Sequence, residues 1–119
     1  GVVADQVGCP ASTLNLAQAC WRTLTIGRES ELPGVMHWSD AGAASWYDVA
    51  VAVGKIGAEL GLIDTPAEVQ PITTADYPTP AERPAYSLLD CTGTRAALQL
   101  QGEHWQQALK DVLHQAKAP

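Results

Sequence analysis

Basic residues are scarce in this chain. Lys and Arg number 7 against 13 Asp and Glu, the net charge is −6, and the cations form no run. A protein that tracks a phosphate backbone needs clustered cations to displace counterions, so the composition argues against a nucleic-acid partner. Cysteine is scarce as well: Cys9, Cys20 and Cys91 are odd in number and far apart. They fit neither a disulfide framework nor a zinc site, since no C-x-x-C or Cys/His spacing is present. No apolar run approaches membrane-spanning length and no signal peptide is recognisable, so no membrane partner and a reducing, cytoplasmic setting are expected.

Two catalytic signatures are also missing. Gly54, Gly57 and Gly61 spell G-x-x-G-x-x-x-G, but they fall inside and at the end of a helical stretch. A dinucleotide-cradling loop needs its glycines between a strand and a helix start, so packing and capping explain these better. The hydride-transfer acid of short-chain reductases is a Tyr with a Lys one helical turn later. Tyr47, Tyr77 and Tyr86 are followed four residues on by Val51, Ala81 and Asp90. No catalytic residue and no cofactor site are expected in this chain.

What is present reads as one packed unit over residues 1–119. Hydrophobic content of 46% with 17% charge belongs to a folded domain. The chain opens at Gly1 without methionine and runs straight into Val2–Val3, as expected of a piece cut from something longer or processed.

Gly1–Asp5 reads as a short buried strand, with Asp5-Gln6-Val7-Gly8 as a turn after it. Pro10 breaks the chain, Ser12 or Thr13 caps a helix over 13–23, and Leu14, Ala17, Cys20 or Trp21, and Leu24 mark its packed face. Val35–Ser39 reads as a strand. Ser45-x-x-Asp48 is a capping box opening the clearest helix, with Trp46, Val49, Val53, Ile56 and Leu60 apolar, burial over most of its circumference, and Gly61 as its C-terminal cap. Val69–Ile72 reads as an edge strand because Pro71 cannot donate to a ladder. Short helices follow over 92–98 and 104–115, the latter with Trp105, Ala108, Leu109, Val112 and Leu113 on one face. Strands alternating with helices give an α/β arrangement, with few short strands and about four helices.

Between the edge strand and the last two helices lies Asp76–Asp90, where Pro78, Pro80 and Pro84 stiffen the backbone into a non-helical track. Arg83 stands in it. A planar guanidinium suits bidentate contact with phosphate or carboxylate, while an ion pair with Glu82 or Asp76 explains it equally well. His37, Ser39 and Asp40 superficially offer a hydrolytic triad. Adjacent strand positions point to opposite faces, however, so a structural histidine is the better reading. His104 and His114 read as solvated.

Three stretches together resemble the C-terminal part of dTDP-4-dehydrorhamnose reductase: V-V-A-D-Q-V-G-C-P (2–10), H-W-S-D-A-G-A-A-S-W-Y-D-V-A (37–50) and Y-P-T-P-A-E-R-P-A-Y-S-L-L-D (77–90). The resemblance implies an extended short-chain dehydrogenase/reductase whose N-terminal Rossmann domain binds NADPH and carries the catalytic Tyr and Lys. Its smaller C-terminal α/β domain closes over the dTDP-sugar, and the full enzyme completes dTDP-L-rhamnose for cell-surface polysaccharide. This chain is similar to the second part only. Its expected partners are therefore a dTDP-sugar and either the missing cofactor domain or a second copy that covers exposed apolar surface. A free-standing self-associating module is the alternative reading. Residue by residue, Arg83 and Ser87 match the family's R-P-x-x-S stretch beside the nucleotide-sugar. Asp5, Gln6, Gly8 and Pro10 match the D-Q-x-G-x-P turn lining the same cleft. Trp46 matches the S-W-Y opening of the long helix and reads as mainly structural. Ala11 and Tyr86 depart from the family's usual threonine and asparagine.

Overall fold

In a computed structural model, which describes residues 1–117, four helices and four two-residue strands alternate along the chain. The order is β1 (Val2–Val3), β2 (Val7–Gly8), α1 (Thr13–Gly27), β3 (Ala44–Ser45), α2 (Trp46–Glu59), β4 (Pro71–Ile72), α3 (Thr92–Leu98) and α4 (Trp105–Lys117). A single 3₁₀ turn covers Thr74–Asp76.

The strands make two separate pairs. β1 runs parallel to β4, with Val2 opposite Pro71 and Val3 opposite Ile72. β2 runs antiparallel to β3, with Val7 opposite Ser45 and Gly8 opposite Ala44. The second pair corrects the reading of residues 5–8 as a turn. Val7 also pairs with the proline track: its N–H donates to the Ala85 carbonyl at 2.8 Å, and its carbonyl accepts from the Ser87 N–H at 2.8 Å. Both partners of Val7 lie more than thirty-five residues away, so only tertiary structure reveals it as a strand. Val35–Ser39, read as a strand, is irregular. The His37 N–H is taken instead by the Thr94 hydroxyl at 3.0 Å, which satisfies the segment against α3 and not against a sheet. The His37 side chain lies exposed beside buried Ser39 and Asp40, so neither a triad nor a buried structural histidine is present.

Helix ends follow local chemistry closely. The Ser12 hydroxyl accepts the Asn15 N–H and starts α1, which runs four residues beyond its expected end. In α2 the Ser45 hydroxyl accepts the Asp48 N–H at 3.1 Å while the Asp48 carboxylate accepts the Ser45 N–H at 2.7 Å, a complete capping box. At its other end Gly61 takes φ +71°, with Gly61 N–H bonded to the Ala58 carbonyl and Leu62 N–H to the Gly57 carbonyl. Two orphan carbonyls are thereby satisfied at a conformation that favours glycine. His104 begins α4 with its own Nδ1 accepting the Gln106 N–H at 3.3 Å.

The core is small. Ala44, Ala52, Ile56 and Trp105 form its buried centre, with Cys9, Val49, Leu60, Leu109 and Leu113 packed around it. Thus α2 and α4 close over β3, while Leu98 and Ala19 are buried where α3 meets α1. Gly42, at φ +96°, lets the chain pass His104 and Trp105, and Ala41 clamps that crossing through bonds to Glu103 and Trp105. Burial is much less than the periodicity implied. The expected packed face of α1 is largely in solvent, with Trp21 71% exposed and Leu14 and Leu24 more than half exposed. Around α2 only Ala52, Ile56 and Gly57 are buried, and Trp46, Val51 and Val53 face outward.

The radius of gyration, 16.7 Å, exceeds the roughly 13.5 Å of a compact chain of this length. The accessible surface of 8146 Å² likewise exceeds the roughly 6,200 Å² that a monomer of this mass presents. Ser45→Ala removes the hydroxyl half of the capping box and leaves the Asp48 N–H without its acceptor, while the backbone N–H of residue 45 can still donate to the Asp48 carboxylate. It is expected to lower unfolding stability by about 1 kcal/mol, read as a lower urea midpoint with unchanged slope.

Candidate functional site

Val7, paired on both sides, brings the three sequence motifs to one place. An open cavity of about 400 Å³ lies there. One wall is Gln6, Gly8, Cys9 and Pro10, on and beside β2. A second is Ala44, Ser45, Trp46 and Val49, from β3 and the first turn of α2, with Ser39 behind them. The third is Arg83, Pro84, Ser87 and Leu89, from the proline track.

Each polar group is held by a specific neighbour. The Gln6 amide donates to the Thr74 hydroxyl at 3.2 Å. A Cβ on Gly8 would stand 3.1 Å from the Ser87 Oγ, so glycine there is what admits the serine. The Cys9 thiol donates to the Asp40 carbonyl at 2.9 Å, and burial pushes its pKa above the ordinary thiol value, which makes it a poor nucleophile. The Asp40 carboxylate is buried and spent on structure, accepting from the Ser12 N–H at 2.9 Å and the Asn15 amide at 3.0 Å.

The electrostatics are simple. Arg83 is the one cationic side chain in the wall, and no carboxylate shares it. In a chain of net charge −6, that is a local reversal of sign. Asp76, one candidate ion-pair partner for Arg83, has its carboxylate engaged by the Thr73 N–H at 2.9 Å and hydroxyl at 2.7 Å. The cavity therefore offers a cation beside apolar and neutral hydrogen-bonding surface, a combination suited to an anionic ligand with a non-polar portion. Among the described residues no group of three His, Cys, Asp or Glu side chains is placed to hold a metal ion.

Of the residues singled out from the sequence, Arg83, Ser87, Gln6, Gly8 and Pro10 line the cavity. Asp5 stands outside it. Its carboxylate accepts the Thr74 N–H at 2.9 Å and the Thr74 hydroxyl at 2.7 Å, pinning the 3₁₀ turn to the segment between β1 and β2. Cys9, Ser39, Trp46, Val49 and Leu89 were not singled out as site residues and do line it. Trp46 falls on the apolar stripe of the helix in the sequence, so its spacing gave no sign of this exposed position. Ala11 and Tyr86, which depart from the family pattern, both lie off the wall. Tyr86 is exposed and alternates with Ser87, which faces in.

Residues 1–118 match the family model described as RmlD substrate binding domain. The chain belongs to that family. It is 37% identical over 115 residues to dTDP-4-dehydrorhamnose reductase of Aggregatibacter actinomycetemcomitans, covering 94% of this chain and 39% of that protein. Against the spore coat polysaccharide biosynthesis protein SpsK of Bacillus subtilis it is 34% identical, covering 96% of this chain and 36% of the relative. Among solved structures, a dTDP-4-dehydrorhamnose reductase from Clostridium acetobutylicum superposes with a TM-score of 0.80 at 32% identity, over 98% of this chain and 38% of that one. The enzyme of the same name from Bacillus anthracis, solved in complex with NADP, superposes with a TM-score of 0.74 at 27% identity, over 92% of this chain and 36% of its own. The chain thus spans less than two fifths of the length of these family members. No helix among the described residues is long and apolar enough to cross a membrane.

Hydrogen bonds from Thr74 hold the Asp5 carboxyl below its ordinary value of 3.8, and Thr73 does the same for Asp76. A depressed folded-state pKa contributes stability that is present above the unfolded value and lost as pH falls through the folded one. Acid unfolding is therefore expected to steepen below about pH 3.8. In Asp5→Asn part of that pH dependence disappears while neutral-pH stability drops, as followed by circular dichroism across a pH series.

Proposed function

We propose that residues 1–119 form a single unit, the dTDP-sugar-binding portion of a cytoplasmic dTDP-4-dehydrorhamnose reductase, which has no catalytic activity alone. The observation that carries this reading is the cavity where the three motifs meet, with Arg83 its one cation and no carboxylate in its wall. A guanidinium on a proline-stiffened track sits on backbone that has little freedom left to lose, so less backbone entropy is lost when it takes a diphosphate. Gln6 and Ser87 supply neutral hydrogen bonds on either side of it. The family membership and the names of the relatives point to the same substrate class.

The hydride donor is held elsewhere in this reading. The chain's G-x-x-G-x-x-x-G lies within and at the end of α2, so it offers no strand–glycine–helix cradle for NADPH. A cofactor domain, on a further segment or a second chain, supplies that site together with the catalytic Tyr and Lys. The open form of the structure supports such a partner. β1 and β4 are a parallel pair of two residues each, and parallel strands are ordinarily covered on both faces as part of a larger sheet. Self-association to cover the same surface, the alternative read from the sequence, finds no support in the comparisons.

Titration with dTDP-rhamnose is expected to show saturable binding that Arg83→Ala weakens at least about tenfold, the range for a charge-assisted contact. Saturable binding insensitive to Arg83→Ala would remove Arg83 from the site.

A further inference from the structure

We propose that the indole of Trp46 is the platform on which the base of the nucleotide stacks, with the diphosphate reaching across the cavity to Arg83. This rests on the sugar-nucleotide reading above and adds to it the recognition of the base, by a residue whose position in the sequence reads as structural.

Trp46 is the first residue of α2 and lines the same cavity as Arg83. It contributes little to the core, because 62% of its surface is exposed and the buried face of the helix is carried by Ala52, Ile56 and Gly57. Val49, one turn on, and Ala44 line the cavity beside it and give that end of the site an apolar character. An exposed indole bordering apolar surface accepts a flat, weakly hydrated ring better than it accepts a charge.

The helix mouth itself is closed to the anion. Asp48 accepts both the N–H and the hydroxyl of Ser45, at 2.7 and 2.8 Å, placing a carboxylate where a phosphate would otherwise sit. Charge is thus directed to Arg83 and the planar part of the ligand to Trp46. The base, and not the sugar, belongs on the indole. The sugar carbonyl has to meet a hydride donor that this chain does not carry, so it must point out of the cavity.

The test is binding of dTDP and of inorganic pyrophosphate to the full chain, by calorimetry and by quenching of tryptophan fluorescence. Trp46→Ala is expected to weaken dTDP at least about tenfold and to leave pyrophosphate unchanged, while Trp46→Phe stays within about threefold of the parent for dTDP. The substitution is at an exposed position, and unchanged far-ultraviolet circular dichroism of both variants excludes misfolding as the cause. Equal dTDP affinity in the parent and Trp46→Ala overturns the assignment and leaves the sugar-nucleotide reading standing, as does an equal loss for dTDP and pyrophosphate. Failure of the parent chain to bind either probe overturns the sugar-nucleotide reading itself, and the stacking proposal with it.

Discussion

The backbone of Val7 is the joint on which the cavity depends. On one side it opposes Ser45, at the mouth of α2, and on the other it exchanges bonds with Ala85 and Ser87 of the proline track. Because side chains alternate along extended backbone, this register decides that Ser87 faces the cavity and Tyr86 faces solvent. A slip of one residue would present the tyrosine and withdraw the serine. Gly8 accommodates that register, since a Cβ there would stand 3.1 Å from the Ser87 hydroxyl, a tight contact. The track itself needs few bonds to hold its course, because Pro78, Pro80 and Pro84 have already removed much of its freedom.

The joint is firm, yet the structure around it is thin. Two ladders of two residues each and a buried centre of two alanines, an isoleucine and a tryptophan are little for a chain of this length. The apolar stripe of α1 lies largely in water, although its spacing is that of a packed helix. The stripe and the parallel pair β1–β4 are both elements whose composition is suited to burial and whose surroundings provide it only in part, α2 packing against β1 while the stripe lies largely in water. A partner surface would cover both at once, and burial of that stripe would contribute roughly 25 cal/mol for each Å² of apolar surface removed from water.

Legibility follows the range of the interactions. The ends of α2, the extent of α3 and the cap of α1 rest on neighbours a few residues away, and the sequence displays them: Ser45 with Asp48, Gly61 after Leu60, Ser12 before Asn15. β2 was hidden, since Val7 becomes a strand only through segments 38 and 79 positions distant. Val35–Ser39 misled in the opposite direction: a β-rich composition is satisfied there by a hydroxyl of α3. Exposure was the least legible property. Periodicity marks a face that is to be covered, and the covering surface need not lie in the same 119 residues. The cavity was legible in outline because motif residues converge on it. Asp5 lies outside the cavity and Trp46 lines it because their surroundings, Thr74 and open space, cannot be read from position in a motif.

That placement has a chemical logic. A carboxylate lining the cavity would oppose a diphosphate, and neither nearby candidate lines it: Asp5 is tied to Thr74, and Asp48 is held at the N-terminus of α2 by Ser45. With the helix mouth occupied by Asp48, Arg83 is left as the one cation lining the cavity, and it stands on the proline-stiffened track. A point contact of that kind fixes where charge sits and leaves the rest of the ligand free to rotate about it. A second contact at a distance is needed to fix orientation, and it has to be non-ionic if it is not to compete with the first. In a wall otherwise made of small, neutral or aliphatic groups, the exposed indole of Trp46 is the surface of the right size and chemistry to supply it.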